Sequence, residues 1–306
     1  MRTDTEQSPD TTGAKMPVAK QSYERSADVQ RWLQEQALDA GIKPPFMPSL
    51  LAERHDRGWI LSSLTHFYER DLITDVLLEV SSGKEATVFC CAANPATGAD
   101  YLAAKVYRPR MFRNLRNDAV YRHSRAQYDR DGKPVRDKGR LGRGGAKTTR
   151  GRASQVTSWI DYEFATHQLL YEAGADVPRP VSQMGNAVLM EYIGDEEGPA
   201  PLLHGVRMTR EEAGPLFERL LRNIELWLAC DRIHGDLSAY NILYQPGRLT
   251  TIDFAQAIDP RHNPEAYPLF ERDIDRVCRY FARYGIVADA TVLAGELWVR
   301  HQGGML

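Results

Sequence analysis

The stretch that decides the fold is His234-Gly235-Asp236-Leu237-Ser238-Ala239-Tyr240-Asn241, with Asp253 twelve residues further on in Thr251-Ile252-Asp253-Phe254. Two short apolar runs, Ile242–Tyr244 and Leu249–Ile252, lie between Asn241 and Asp253 and predict a hairpin. The segment therefore offers two carboxylates and an amide close to one hairpin. Groups of these types can take up a proton or hold a hard cation such as Mg²⁺.

The Asp-x4-Asn spacing is typical of kinase catalytic loops, in which the aspartate accepts the proton of the acceptor hydroxyl and the asparagine binds a metal. In this interpretation Asp236 is the catalytic base. Asn241 and Asp253 hold the metal, and Asp253 also belongs to the catalytic set. The alternative is a group of polar residues that only cap a loop. The order and spacing favour phosphoryl transfer.

A lysine stands in an apolar strand upstream. The runs Leu77–Val80, Thr87–Ala92 and Tyr101–Tyr107 predict an antiparallel meander, and Lys105 lies inside the third. A buried ammonium is costly unless it is paired, so we expect Lys105 to meet nucleotide phosphates and a helix carboxylate, for which Glu163 is the natural partner. The alternative is a lysine on the solvent face of an edge strand.

The turn Ser81-Ser82-Gly83-Lys84-Glu85-Ala86 lies between the first two strands, where a phosphate-covering loop would lie, although it lacks a G-x-G-x-x-G pattern. A plain hairpin turn is the alternative.

Downstream, apolar spacing predicts a helix over 156–173, and Thr209 with Glu212 forms a capping box before another helix. A further helix carries Phe270 and Phe281. In kinase-like folds a carboxylate at the position of Asp273 on this helix accepts hydrogen bonds from the catalytic loop, and an ordinary surface carboxylate is the alternative.

The ends and the middle of the chain differ in composition. Residues 1–22 are polar and predict a disordered tail, and 23–74 predict a helical extension with one helix over Ser26–Ala40 and another after Pro48. Between 108 and 152 there are 15 Lys or Arg against 4 Asp or Glu, so 108–155 is predicted to be a basic flexible insertion although the whole chain has a net charge of only -2. The four cysteines show no metal-ligand spacing, which favours free thiols, and no run of about 18 apolar residues predicts a membrane span.

The ordered motif set resembles the RIO family of atypical serine/threonine kinases, and most closely its first subfamily. The resemblance covers roughly residues 75 to 285. It rests on these segments: Ser82-Gly83-Lys84-Glu85-Ala86, Ala104-Lys105-Val106-Tyr107, Met190-Glu191-Tyr192-Ile193-Gly194, Pro199-Ala200-Pro201-Leu202-Leu203, His234 to Tyr244, and Ile252-Asp253-Phe254-Ala255-Gln256.

The resemblance implies an α+β fold, a trimmed two-lobed kinase with an antiparallel N-terminal lobe and a mostly helical C-terminal lobe. The N-terminal lobe would span 75–190, the hinge 190–195 and the C-terminal lobe 196–306. Glu191 and Ile193 would offer backbone groups to adenine, and Ser82, Gly83 and Lys84 would lie near the phosphates of ATP. Mg²⁺, or Mn²⁺ in its place, would be the metal, and Asp253 could itself be transiently phosphorylated.

Two departures from conventional kinases are compatible with RIO proteins: Ala255 replaces the glycine of the Asp-Phe-Gly triplet, and Gly235 replaces the catalytic-loop arginine. The segment from Ser26 to about Arg70 matches nothing assignable. One alternative function is a small-molecule phosphotransferase of the aminoglycoside or choline type. Another is an ATPase switch that serves ribosome or RNA assembly, with the basic 108–152 segment as the contact. We expect a cytoplasmic protein with an unidentified protein substrate and no membrane partner.

Overall fold

Apolar and β-branched runs between Ile73 and Glu191 build a five-stranded antiparallel sheet in a computed structural model that describes residues 43–108 and 149–306. The strand order is β1-β2-β3-β5-β4. The strands are β1 (Ile73–Ser82), β2 (Ala86–Ala93), β3 (Tyr101–Tyr107), β4 (Pro180–Met184) and β5 (Ala187–Glu191). The predicted meander is β1 to β3, and β4 was missed because its five residues show neither alternation nor an apolar run.

One face of this sheet is covered by helix α1 (Arg57–Glu69). Ile60, Leu64 and Phe67 of α1 are fully buried in one cluster with side chains of β1, β2, β3 and β5. The helix therefore completes the core of the sheet lobe, and the predicted boundary between extension and kinase domain, at 74/75, falls inside β1. The predicted tail and the helix over Ser26–Ala40 lie outside the described residues.

Helix α2 (Thr149–Glu172) begins before the predicted residue 156, so the last residues of the predicted insertion, from Thr149 on, are helical. No apolar stripe marks those first turns, and periodicity could not detect them. Once a helix has formed, each residue added to its end gains one hydrogen bond without a new nucleation cost. This explains why α2 can continue into such a polar stretch. The remainder of the basic insertion, 109–148, lies outside the described residues.

The C-terminal lobe is built on helices α3 (Arg210–Ala229), α4 (Ala266–Ala282) and α5 (Ala290–Gln302) and on the hairpin of β6 (Ile242–Gln245) and β7 (Arg248–Thr251). The Thr209 hydroxyl caps α3 by accepting the Glu212 N–H at 3.3 Å, as the sequence predicts. Helix α5 was not predicted. The lobe's core combines apolar residues of all three helices: Leu216, Leu220, Ile224, Phe270, Ile274, Phe281, Ala294 and Leu297.

The cysteines Cys90, Cys91, Cys230 and Cys278 all carry free thiols. Across residues 43–108 and 149–306, none of the helices combines the length and the apolar character needed to cross a membrane.

Candidate active site

A cavity of about 420 Å³ opens between the sheet and the C-terminal lobe. Apolar side chains of β1, β2, β3 and β5 form much of one wall, and the hairpin after the catalytic loop contributes the other. A volume of this size is typical of small-molecule sites. Six of the predicted site residues line it: Lys105, Glu163, Glu191, Ile193, Asn241 and Asp253.

Lys105 stands at the centre of an ion-paired group on the cavity wall. Its Nζ lies 2.7 Å from Glu163 Oε1 on α2 and 2.9 Å from Asp253 Oδ1 after β7. Burial opposes the charge of Lys105, but the charges of Asp253 and Glu163 outweigh it and raise the lysine pKa well above its usual range. The lysine in turn lowers the pKa of Asp253 against the effect of burial. The predicted pairing of Lys105 with Glu163 is present, and Asp253 joins it.

Tyr107 completes the surroundings of Glu163, a role that sequence reasoning missed. The tyrosine is fully buried, two residues beyond Lys105 on β3, and its hydroxyl donates a hydrogen bond to Glu163 Oε2. The Tyr107 ring packs edge-on against Trp159, whose indole N–H donates to the Ala255 carbonyl at 3.1 Å. Both carboxylate oxygens of Glu163 are thus held, one by each of two side chains from the same strand.

The catalytic loop is fixed by a carboxylate behind it. Asp273 on α4 accepts the Gly235 N–H at 2.7 Å and the Leu237 N–H at 3.1 Å, one on each side of Asp236. Burial raises the pKa of Asp273 to about 7, and the two N–H bonds counteract part of that rise. The expectation that Asp273 accepts bonds from the catalytic loop is confirmed.

Asp236 itself is half exposed and forms an ion pair that the sequence did not predict. Arg276 Nη1 of α4 lies 2.8 Å from Asp236 Oδ1. On the backbone side, the amide of Asn241 donates to the Asp236 carbonyl at 2.9 Å. Asp236 is therefore held through its main chain by Asn241 and through its side chain by Arg276.

The residues near Asp253 suit a magnesium ion. Asp253 has left-handed backbone torsions, with φ at 67°, and its side chain is 45% exposed although it pairs with Lys105. The Asn241 amide nitrogen is engaged with Asp236, which leaves its oxygen as the group that can bind a cation. A carboxylate and an amide oxygen are hard ligands, and Mg²⁺ usually binds through one or two such groups plus phosphate oxygens. The described ranges contain no cluster of three or more His, Cys, Asp or Glu that would form an all-protein site.

The predicted hinge, residues 190–195, overlaps the end of β5. The Ala200 N–H donates to the Ile193 carbonyl at 2.9 Å, which leaves the N–H of Ile193 as the group that can serve a nucleobase. Gly194 is required here because a Cβ would lie 2.4 Å from the Gly198 carbonyl oxygen. Glu191 and Ile193 both line the cavity, and their contact with adenine stays a prediction.

The predicted phosphate loop forms the turn between β1 and β2, as the sequence indicates. Ser82, Gly83 and Lys84 are exposed at the tip of the β1–β2 turn, where the Gly83 N–H donates to the Ala86 carbonyl at 2.9 Å. Val80 and Ser81 line the cavity in their place. Contact of Ser82, Gly83 and Lys84 with phosphates stays a prediction.

One more cavity residue was missed. His167 lies one helical turn after Glu163 on α2, is 7% exposed, and stacks on Phe254 with 6.4 Å between ring centres. Within the described residues its Nε2 has no hydrogen-bond partner. Burial lowers the pKa of His167 to about 4, so the ring is neutral at pH 7. In the sequence His167 is one polar residue on the predicted helix over 156–173, and no motif or spacing marks it as part of the site.

Comparison with known proteins identifies the family of the chain. The RIO domain family matches residues 105–293. The serine/threonine-protein kinase RIO1 of Caenorhabditis elegans is 29% identical over 215 residues, which cover 68% of this chain and 37% of the relative. The RIO-type serine/threonine-protein kinase Rio1 of Haloferax volcanii is 30% identical over 219 residues, which cover 70% of this chain and 66% of that one. The chain thus spans between about one third and two thirds of the length of these curated relatives.

A solved structure is similar in fold. The crystal structure of the Rio2 kinase-ADP/Mg²⁺-phosphoaspartate complex from Chaetomium thermophilum matches with a TM-score of 0.55 at 20% identity, covering 88% of this chain and 75% of that chain. This likeness supports the two-lobed α+β kinase architecture, with an antiparallel sheet in one lobe and helices in the other.

Proposed function

The chain belongs to the RIO family, and from this we propose that it is an ATP- and magnesium-dependent phosphotransferase of the serine/threonine protein kinase class. The observation that carries the proposal is the ion-paired group of Lys105, Glu163 and Asp253 on the wall of a nucleotide-sized cavity. Protein interiors seldom keep three charged side chains together without a functional or structural use. A triphosphate would give the lysine an additional anionic partner.

The proposed mechanism assigns each polar group one task. The backbone of Glu191 and Ile193 binds adenine, and Lys105, oriented by Glu163, contacts the phosphates. Asp253 and Asn241 would hold Mg²⁺, which would supply charge neutralisation at the phosphates. Asp236 accepts the proton of the acceptor hydroxyl as the γ-phosphoryl group moves to that oxygen and ADP leaves.

The test is incubation of the purified chain with γ-labelled ATP and Mg²⁺, while free phosphate, labelled protein and labelled added substrates are measured together. We expect Asp236→Ala to lose transfer to hydroxyl acceptors, with nucleotide binding retained in a separate fluorescence titration. Equal turnover of Asp236→Ala and the wild type would refute the role of Asp236 as base. The wild type's failure to use ATP at all would refute the proposed function.

A second chemical route involves Asp253 as the phosphoryl acceptor. The structurally similar Rio2 kinase was crystallised with a phosphoaspartate, and Asp253 is 45% exposed at the cavity wall. In this route a carboxylate oxygen of Asp253 bonds to the γ-phosphorus, the bond to the ADP oxygen breaks, and water later hydrolyses the acyl phosphate. Hydroxylamine should then release label from acid-quenched protein. Label that resists hydroxylamine, resides on Ser or Thr, and disappears in Asp236→Ala would support hydroxyl transfer alone.

The basic segment favours a second candidate function, an ATPase switch that binds RNA or a ribosomal particle. Its support is the excess of 15 Lys or Arg over 4 Asp or Glu in residues 108–152, because each cation that neutralises a phosphate releases a counterion. Deletion of residues 109–150 should spare ATP hydrolysis and abolish salt-sensitive RNA binding. RNA binding with an unchanged salt dependence after deletion would exclude the segment as the contact. A screen of small hydroxylated acceptors tests the aminoglycoside or choline alternative.

A further inference from the structure

Helix α4 holds the residue proposed as the base from three directions. Asp273 accepts the N–H groups on both sides of Asp236, Arg272 donates to the Gly235 carbonyl, and Arg276 pairs with the Asp236 carboxylate. Residues 272, 273 and 276 lie within about one turn of each other and so share a helix face. The three hydrogen bonds from Asp273 and Arg272 to the backbone set the position of the loop, whereas the contact from Arg276 is the one that acts on the reactive side chain.

The Arg276 contact is one-sided. Nη1 lies 2.8 Å from Oδ1 of Asp236, and the bond constrains rotation of the carboxylate about its terminal torsion. That torsion is broad and roughly two-fold in free side chains, so a single fixed oxygen is enough to decide where the second oxygen points. A general base needs this control, because it must lie within hydrogen-bond reach of the proton that it takes.

The stability of the fold does not account for this ion pair. Arg276 and Asp236 are 38% and 51% exposed, and exposed pairs contribute about 0–1 kcal/mol. The other cation of the site, Lys105, is engaged by Glu163 and Asp253. Within the described ranges, Arg276 is the cation that forms an ion pair with Asp236. The helix that carries Arg276 is anchored in the core of the C-terminal lobe, where Ile274 and Val277 are buried.

We propose that Arg276 is a positioning residue for the phosphoryl transfer: it holds Oδ1 of Asp236 and so directs Oδ2 at the acceptor hydroxyl. This inference rests on the proposed function, since it presupposes that Asp236 is the base. Arg276, on α4, lies outside all of the sequence motifs that predicted the site.

The test compares Arg276→Ala, Arg276→Gln and Arg276→Lys with Arg279→Ala. Arg279 is a matched control, because it lies one turn further along the same helix, is 79% exposed, and pairs with Asp275 instead of the loop. We expect Arg276→Ala to lose about tenfold or more in kcat, with KM for ATP unchanged, and Arg276→Lys to recover part of the loss. Arg276→Gln separates hydrogen bonding from charge and should recover less than lysine does. Arg279→Ala should match the wild type in both constants.

A chemical rescue makes the test independent of side-chain packing. The position is partly exposed, with 38% of the Arg276 side chain accessible. Guanidinium chloride at about 20–50 mM, far below denaturing concentrations, should therefore raise the kcat of Arg276→Ala and leave the wild type and Arg279→Ala unchanged. Equal kcat in Arg276→Ala and Arg279→Ala would overturn the positioning role. A loss that appears in KM for ATP with kcat unchanged would also overturn it. If the wild type transfers no phosphoryl group, the proposed function fails first, and the role of Arg276 falls with it.

Discussion

Lys105 Nζ lies 2.7 Å from Glu163 Oε1, although the two side chains are only 12% and 10% exposed and belong to different elements, β3 and α2. Taking two charges out of water is costly, and their attraction offsets that cost only when both partners are present. The pair therefore connects the sheet to α2 and at the same time leaves the lysine facing the cavity. Its structural and catalytic contributions can be separated by mutation.

Replacement of Lys105 by Met keeps the apolar stem and removes the charge. We expect ATP turnover to fall at least about tenfold, which corresponds to about 1.4 kcal/mol of transition-state stabilisation. The free energy of unfolding should also fall, by about 3–5 kcal/mol, because Glu163 keeps a buried charge without its cation. Steady-state kinetics and urea denaturation measure the two effects.

The double variant Lys105→Met, Glu163→Gln is the control. It removes both charges, so stability should recover most of the loss while activity stays low. If activity also recovers, Lys105 acts only as a structural partner. If the single variant turns over ATP like the wild type, the lysine has no role in nucleotide use.

Tyr107→Phe deletes one hydroxyl from the buried network. We expect a loss of about 1–2 kcal/mol in the free energy of unfolding, because Glu163 Oε2 loses its donor at a buried position. Activity should fall severalfold through the looser Glu163 and Lys105. Tyr101→Phe is the control, because it makes the same chemical change on the same strand at a half-buried tyrosine that packs on Tyr192. It should change the free energy of unfolding by no more than a few tenths of a kcal/mol and leave the activity unchanged. Equal effects of the two substitutions would show that the Tyr107 hydroxyl has no special role.

The parts of the site that sequence could predict are those with a local or energetic requirement. Asp236, Asn241 and Asp253 follow from spacing within one segment, and Glu163 follows from the need of a buried lysine for an anion. Tyr107 could not be found in this way, because a tyrosine in an apolar strand is an ordinary core residue. Arg276 was missed because a charged residue on an amphipathic helix reads as part of the solvent face, and only the tertiary approach of α4 to the loop gives it a partner.

The fold shows the same division. Strands with clear apolar runs were predicted, whereas β4 was missed because Pro180–Met184 is half-buried at every position and shows no period. The role of α1 also depends on tertiary contacts: Ile60, Leu64 and Phe67 indicate that an apolar face must be covered, but not which sheet covers it.

His167→Leu should change how stability depends on pH. The pKa of His167 is about 4 in the folded chain and about 6.5 when unfolded, so between these values the unfolded state binds a proton that the folded state does not. Wild-type stability therefore falls as pH drops from about 6.5 to about 4, by up to about 3 kcal/mol from this group. Leucine does not titrate, so the variant lacks this loss of stability at low pH. It also removes the buried Nε2 that has no hydrogen-bond partner among the described residues, so the variant should be more stable than the wild type at pH 5. Denaturant titrations of both proteins at pH 5 and pH 8 measure the difference, and parallel profiles would contradict it.

Asp273→Asn tests the support behind the catalytic loop. The ionised carboxylate accepts N–H bonds on both oxygens, from Gly235 and Leu237, whereas an amide offers one oxygen and turns an NH₂ group toward the second donor. The loop around Asp236 should shift, and turnover at pH 8 should fall by about tenfold or more, with a loss of about 1–3 kcal/mol in the free energy of unfolding. Asp275→Asn is the matched control, because Asp275 lies on the same helix, is 35% exposed and pairs with Arg279.

The pH dependence makes this prediction sharper. Because the pKa of Asp273 is about 7, the wild-type side chain is largely protonated at pH 6 and largely ionised at pH 8. Protonation places a hydrogen on one of the two accepting oxygens and weakens one of the loop bonds, so the wild type at pH 6 approaches the state that asparagine imposes at every pH. The ratio of wild-type to Asp273→Asn turnover should therefore increase from pH 6 to pH 8, while the ratio for Asp275→Asn stays near one. A constant ratio for Asp273→Asn would mean that the ionisation of Asp273 does not govern the loop, and wild-type activity of this variant at pH 8 would remove Asp273 from the site altogether.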